Sequence, residues 1–277
     1  MKLLVTLTAF AVLGGIVCGG VAGTAAAATR DITPSVSSNW AGYAISDPAT
    51  IAGTVPDTPL AFSDVTATWV QPKANCKGAK SAAYSAFWVG LGGFAPSSTS
   101  LEQVGTESDC TDLGTQLYFA WYEIVPAPSV RISLKINPGD TITTAVVVNG
   151  SDVLVQVKDR TRRTNFVKHL TTANPDVSSA EWIAEAPSEC GSACQVLPLA
   201  NFGSVSFSRI AAVANAHPGT LTDPAWAALP IQLIPKPNFH SFFGAPGGGS
   251  RAGATPGTAS PDGRTFTVSW LANAAVD

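Results

Sequence analysis

Thr141-Ile-Thr-Thr-Ala-Val-Val-Val148 leads into Asn149-Gly150 and Ser151, and then into Asp152-Val-Leu-Val-Gln-Val157. Both runs are rich in β-branched residues, whose stiff side chains favour extended backbone. Asn149-Gly150 is a pair that accepts the left-handed backbone of a tight hairpin turn. The stretch therefore predicts two antiparallel strands joined by a short turn. The same pattern recurs outward from it. Val65, Ala67 and Trp69 alternate with Asp64, Thr66 and Thr68. Phe87, Val89 and Leu91 alternate with Ala86, Trp88 and Gly90. Tyr118, Ala120, Tyr122 and Ile124 alternate with Phe119, Trp121, Glu123 and Val125. Further runs span 129–136, 165–171, 181–186, 203–210 and 265–270, and turn-forming clusters such as Asn137-Pro-Gly-Asp140 separate many of them. Many short strands at this spacing imply an all-β antiparallel sandwich or barrel. Ala211 to Ala216 and Pro224 to Leu229 are each expected to form a turn or so of helix. Gly244 to Gly263, rich in Gly, Pro, Ala and Ser, reads as a mobile loop within the same domain.

The chain has 277 residues, long enough for one large β domain. Charged residues make up 13%, against a usual share of about 25%, and the formal net charge is −3. That excludes the basic footprint of a nucleic-acid binder and gives no attraction to an anionic membrane surface.

Met1-Lys2, an apolar run from Leu3 to about Val17, and Ala26-Ala27-Ala28 have the layout of a secretory signal peptide. The apolar run is too short and too interrupted by glycine to span a membrane. Cleavage is expected after Ala28, so 1–28 is the signal peptide, 29–38 a short N-terminal segment and 39–277 a single domain. Loss of Lys2 takes the formal charge from −3 to −4. Gly15-Ile16-Val17 ahead of Cys18 is a poor lipoprotein signal. Cleavage leaves Cys76, Cys110, Cys190 and Cys194. In an exported chain four cysteines read as disulfides, with three connectivities to choose from. Cys190 and Cys194 suit a tight local loop, which leaves Cys76 to Cys110. No histidine lies near them, so a metal site is not expected.

The common catalytic sets do not assemble. His169, His217 and His240 are scattered without metal-binding spacing, and there is no G-x-S-x-G elbow. Gly90-Leu-Gly-Gly93 lacks the strand-to-helix context of a nucleotide loop. The carboxylates say more. Glu181, Ile183 and Glu185 share one face of a strand, as do Trp121 and Glu123. Such acids belong either on a solvated outer face or on a sheet face where a substrate chain lies among aromatics. In Leu101-Glu102-Gln103-Val104-Gly105-Thr106, Gln103 shares a face with Leu101 and Gly105, a slot where a core residue is expected. Glu102 points to the other face and has no expected role.

Six motifs occur in order: Ser38-Asn39-Trp40-Ala-Gly42-Tyr43, Phe87-Trp88-Val89-Gly90-Leu91-Gly92-Gly93, Glu102-Gln103-Val104-Gly105, Ala120-Trp121-Tyr122-Glu123, Ala180-Glu181-Trp182-Ile183-Ala184-Glu185 and Phe202-Gly203-Ser204-Val205-Ser206-Phe207. Together they resemble the glutamic peptidases called eqolisins, family G1, formerly peptidase family A4, in a bacterial-type secreted form. The resemblance runs from about Ser38 to Phe207. It implies two curved antiparallel sheets in a concanavalin-like sandwich, with a substrate groove on the concave face. It also implies a metal-independent, pepstatin-insensitive acid endopeptidase with a Gln–Glu dyad and no cofactor. The dyad falls on Gln103 and Glu185, not Glu181. Trp40, Trp88, Trp121 and Glu123 fall on positions that line or support the groove. Partners would be polypeptide substrates, the enzyme a monomer, its location extracellular. The Cys190–Cys194 loop resembles a small disulfide loop that follows the catalytic strand in the family.

The chain departs from fungal members of the family. Gly92 and Phe119 stand where those often have Asp, and Val125 where they have Tyr. These changes thin the acid cluster around the dyad and bear on pH dependence. Only about ten residues separate the signal from the first motif, too few for a groove-covering propeptide. Two other classes compete with the peptidase reading: a non-catalytic saccharide- or peptide-binding sandwich, and a glycoside hydrolase using Glu123 and Glu185. Gln103 discriminates, because a glycosidase wants a second acid there and a lectin has no special use for the amide.

Overall fold

The computed structural model describes residues 35–77, 81–95, 98–190, 194–235 and 252–274. In chain order the strands are β1 (Ser35–Ser37), β2 (Trp40–Ser46), β3 (Phe62–Val70), β4 (Ala86–Gly92), β5 (Leu101–Cys110), β6 (Gln116–Val125), β7 (Val130–Ile132), β8 (Thr141–Asn149) and β9 (Asp152–Asp159). They continue with β10 (Thr164–Thr171), β11 (Ser179–Glu185), β12 (Ser188–Cys190), β13 (Cys194–Val196), β14 (Ser204–Ala214), β15 (His217–Gly219), β16 (Ala227–Leu233), β17 (Gly253–Pro256) and β18 (Thr265–Leu271). One short helix, α1 (Pro48–Ile51), is capped by the Asp47 carboxylate, which accepts from the Ala49 N–H at 2.8 Å.

The hairpin that opens the sequence argument is present. β8 and β9 pair from Asn149↔Asp152 to Ile142↔Asp159. The turn residues are Gly150 and Ser151, one position later than Asn149-Gly150, and Gly150 takes φ +61°. The hydrogen-bonded order is β10-β9-β8-β3-β14-β18-β17-β16-β2-β11-β4-β5-β6-β7, with β1 on β16 and β15 on β14. Apart from the short parallel β1–β16 pair, every pairing in this sheet is antiparallel.

The expected two sheets are two layers of one hydrogen-bonded ribbon that folds over itself. β17 makes the join, bonding to β18 on one side and β16 on the other. One layer runs from β10 to β18 and the other from β16 to β7. Alternation sends Val65, Ala67 and Trp69 of β3, Val146 of β8, Phe87, Val89 and Leu91 of β4, and Trp182 of β11 into the shared core. Two indoles tie the layers together. Trp182 Nε1 donates to the Thr66 carbonyl at 2.9 Å, and Trp69 Nε1 donates to Thr106 Oγ1 at 3.1 Å. Each such bond contributes about 1 kcal/mol net, beyond the larger gain from burying the ring. At the far ends of the ribbon, Tyr122 of β6 stacks on Phe166 of β10 with centroids 6.0 Å apart, so the curved sheet nearly closes.

Both disulfides join the expected partners, Cys76 to Cys110 and Cys190 to Cys194. Other expectations change. Ala211 to Ala214 continue β14 rather than forming helix. The alternation breaks because the β14–β3 register shifts between Ser208 and Ala211, where Arg209 takes φ +52°. From Pro224, a turn leads into β16 rather than helix. Of the run 129–136, only Val130–Ile132 is strand. Within the expected loop Gly244 to Gly263, Gly253–Pro256 form β17; residues 244–251 lie outside the described residues. The signal peptide lies wholly outside them, while the end of the segment 29–38 forms β1.

Candidate active site

Strands β11, β4, β5 and β6 lie side by side, and their register stacks three rows on the face turned away from the interlayer core. The first row is Glu185, Ala86, Glu107 and Phe119. The second is Ile183, Trp88, Gly105 and Trp121. The third is Glu181, Gly90, Gln103 and Glu123. Because side chains alternate along a strand, all twelve positions belong to one face. Gln103 and Glu185 therefore share a face, two strands and four residues apart.

Trp88 forms the floor between them. Its indole reaches over Gly90, where a Cβ would stand 2.9 Å from Trp88 Cζ3. At Gly105 a Cβ would lie 2.3 Å from the Phe87 carbonyl oxygen and 2.6 Å from Trp88 Cβ, so only glycine admits this close approach. The other end of the indole holds Glu185: Trp88 Nε1 donates to Oε2 at 2.7 Å. Asn39 Nδ2 donates to Oε1 at 2.9 Å. Trp40 meets Trp88 edge-on at 5.0 Å between centroids and also helps hold the carboxyl. Burial pushes the Glu185 carboxyl up to about 7; the bonds from Trp88, Trp40 and Asn39 oppose the rise, and the nearby Glu123 charge adds to it.

Gln103 is buried, and its Nε2 donates to Glu123 Oε2 at 2.6 Å. Its Oε1 is buried with no hydrogen-bond partner. The carboxylate thus fixes which end of the amide points where, since only the NH2 can donate. Burial raises the Glu123 pKa, with the Gln103 bond opposing. Trp121 is buried beside Trp88, and its Nε1 has no partner.

Glu181 and Glu102 occupy different surroundings. Glu181 is fully buried and no donor closes a hydrogen bond of normal geometry on either oxygen; burial holds its pKa well above the usual range, the nearby Ser179 opposes the rise, and the charges of Asp176 and Glu102 add to it. Glu102 points into the interlayer side, as alternation requires. It is far from inert, however. It is fully buried, takes a hydrogen bond from Ser100 Oγ on Oε1, leaves Oε2 unpartnered, and burial pushes it up to about 7.

Three residues escape the motif reading. Asn39 lies inside the first motif, yet nothing in the sequence alone marks it as a carboxylate donor. Glu107 and Asp109 continue the face of Gln103 and Gly105, and extending the alternation past Thr106 finds them. Their carboxyls bond to each other, and the Ser85 N–H donates to Asp109 Oδ1 at 3.1 Å. Burial raises both pKa values, Glu107 by far the more, and Arg131 opposes the rise in each. Arg131 lies over the Phe119 ring at 4.4 Å. Among the described residues no cluster of three or more His, Cys, Asp or Glu side chains is arranged to hold a metal. His169 and His217 pair with Asp152 and Asp223 at the surface, and His240 lies outside the described residues.

A sequence profile of the peptidase A4 family matches residues 38–232. The chain belongs to the peptidase A4 family. These are the glutamic peptidases also called eqolisins, and the six motifs lie within the matched residues. Among solved structures, scytalido-glutamic peptidase with a transition-state analogue inhibitor superposes with a TM-score of 0.63 at 24% identity, covering 84% of this chain and 98% of its own. SCP-B, an eqolisin in complex with the tripeptide Ala-Ile-His, gives 0.59 at 22% identity, covering 84% and 98%. Aspergilloglutamic peptidase from Aspergillus niger gives 0.50 at 24% identity, covering 68% and 99%. These likenesses establish that this A4 member has the eqolisin fold. No curated protein sequence matches.

Proposed function

We propose that the protein is a secreted endopeptidase that hydrolyses peptide bonds of polypeptide substrates in acid, as a monomer and without a cofactor, through Gln103 and Glu185. The observation that carries this is the placement of the two groups. A carboxyl held at both oxygens shares one sheet face with a buried amide whose polarity a neighbouring carboxylate defines. Glu185 as carboxylate takes a proton from water, which attacks the scissile carbonyl. The second N–H of Gln103 donates to the developing oxyanion, and its carbonyl helps hold the water. Glu123 is committed to Gln103, which leaves it poorly suited to be the free acid of a glycosidase pair. Export rests on the signal-like N-terminus and on the four paired cysteines.

Two trends with pH oppose each other. The base form of Glu185 grows with pH and reaches one half at about pH 7. Glu102 and Glu181, neutral and buried in acid, make the fold less stable as they ionise. The working range then lies on the acid side of neutral, above that of a carboxylate with an ordinary pKa near 4.

The test is casein cleavage by the mature chain from pH 2 to 8, with chelator and with pepstatin, beside Gln103→Ala. Loss of one oxyanion donor should lower kcat roughly 100- to 1,000-fold. Full activity in Gln103→Ala refutes the dyad, and abolition by chelator refutes cofactor independence.

A further inference from the structure

Ser37 belongs to none of the six motifs and lies one residue ahead of the family match, which begins at residue 38. It ends β1, where it pairs with Leu233 of β16, and its carbonyl accepts from the Ile234 N–H at 2.9 Å. Its hydroxyl is fully engaged. Ser37 Oγ accepts from the Asn39 N–H at 3.3 Å and from the Trp40 N–H at 3.1 Å, and it donates to Asn39 Oδ1 at 3.1 Å. A hydroxyl has one proton and two lone pairs, so these three bonds use all of them. The two backbone N–H groups can only donate, and they occupy both lone pairs. What remains for the Asn39 side chain is the hydroxyl proton, which calls for the carbonyl end of the amide. That decides which end faces Glu185: Asn39 Nδ2 donates to Glu185 Oε1 at 2.9 Å. A reversed amide would aim its NH2 at an oxygen already accepting two bonds and its carbonyl at a carboxylate, and both ends would be opposed. The Asn39 main chain is tied to the same spot, because its carbonyl accepts at 2.8 Å from the N–H of Ala186, the residue after Glu185.

We infer that Ser37 is a positioning residue for the proposed reaction, acting through Asn39 to present an N–H donor to Glu185. This rests on the proposed peptidase reading. Without the hydroxyl, the amide is free to turn, and the carboxyl meets the N–H for only part of the time. A hydrogen bond to the charged form favours that form. Its loss leaves a smaller share of Glu185 able to take a proton from water in acid. The same hydroxyl fixes the start of β2 through the Trp40 N–H, and Trp40 packs on Trp88, which holds the other carboxyl oxygen. The first strand of the chain thus tunes a base that lies far from it in sequence. The charged groups facing Glu185 are Glu123 of β6 and Glu107 of β5. Among the described residues neither bonds to Ser37 or Asn39, so their influence is common to every variant below.

The experiment follows the acidic limb of kcat/KM on one peptide for wild type, Ser37→Ala, Ser37→Thr, Asn39→Ala and the double variant Ser37→Ala/Asn39→Ala. Ser37→Ala should move the limb upward by about 0.3–0.5 pH unit, a loss of about two- to threefold at pH 4.5 that shrinks as the limb levels off. Ser37→Thr keeps the hydroxyl and should bring the limb back to within about 0.1 unit of wild type. In the double variant the limb should stand where Asn39→Ala alone puts it, because Ser37 then has no amide to orient. An unmoved limb in Ser37→Ala overturns the inference. So does a loss of equal size at every pH, which would mark a structural role. So does a further shift in the double variant, which would mean that Ser37 acts by a route other than Asn39. Should Ser37→Ala not fold, Ser37→Cys, similar in size and a weak donor, should shift the limb in the same direction, and an unmoved limb there overturns the inference. Failure of wild type to cleave any peptide would instead remove the peptidase reading underneath.

Discussion

The two ends of β11 make an instructive pair. Glu181 and Glu185 sit four residues apart on one strand and one face, in a motif where either could be the active acid. At one end, Glu185 meets Trp88, Trp40 and Asn39, each of which stabilises its charge. At the other, Glu181 lies between Ala44 and Gly90 across the strands, with no donor bonded to either oxygen in normal geometry and with the charges of Asp176 and Glu102 nearby. Both carboxyls are raised by burial, Glu181 well above the usual range and Glu185 only to about 7. A raised pKa by itself therefore does not mark a catalytic acid. What distinguishes the two ends is the set of donors around the carboxyl.

Exchanging the charge at each end in turn is the sharpest way to break that contrast. Glu185→Gln should cost at least about 1,000-fold in kcat/KM on a peptide. Glu181→Gln at pH 4.5 should stay within about tenfold, because the native side chain is already neutral there. Comparable losses in the two variants would erase the distinction.

A smaller effect should appear in stability. Glu102 is pushed up to about 7 in the folded chain, against an ordinary 4.5 when unfolded, and Glu181 is pushed higher still. A carboxyl whose folded pKa is raised binds its proton more tightly when folded. Its stabilising contribution is complete below about pH 4.5 and is lost as pH rises through the folded value. The melting temperature should fall by roughly 5–10 °C between pH 4.5 and 7.5. Glu102→Gln should flatten the decline, as should Glu181→Gln. Calorimetric melts across this range check it, and a stability that rises toward neutral would contradict it.

The smallest expected effect refines the Glu185 end. The Asn39 bond favours the carboxylate, so Asn39→Ala should move the acidic limb of the kcat/KM profile upward by about half a pH unit. An unmoved limb would show that Trp88 and Trp40 alone set the charge.

Much of the site was legible before any coordinates. Alternation placed Gln103 with Leu101 and Gly105 and turned Glu102 away, and both placements hold. Alternation also reaches Glu107 and Asp109, although no motif draws attention to them. The bond from Gln103 to Glu123 was not legible. It depends on the β5–β6 register, and a one-residue slip would send Glu123 to the other face. The Ala-rich stretch after Ile210 misleads for a related reason. A shift in pairing near Arg209 breaks the alternation, and composition alone cannot tell a bulged strand from a turn of helix. Burial was likewise hidden: a Glu in a half-polar strand reads as solvated until the packing around Glu181 is seen.

By itself, the sequence determined the all-β class, the hairpin at 149–152 and the cysteine pairs, and its motifs marked Gln103 and Glu185 as the proposed dyad, because alternation, turn chemistry and short motifs are local properties. The tertiary structure decided which strands became neighbours. That choice laid Trp88 between Gln103 and Glu185, enclosed Glu181, and set Glu107 across Ala86 from Glu185, because the distances and donors that tune a carboxyl come from strands far apart in the chain.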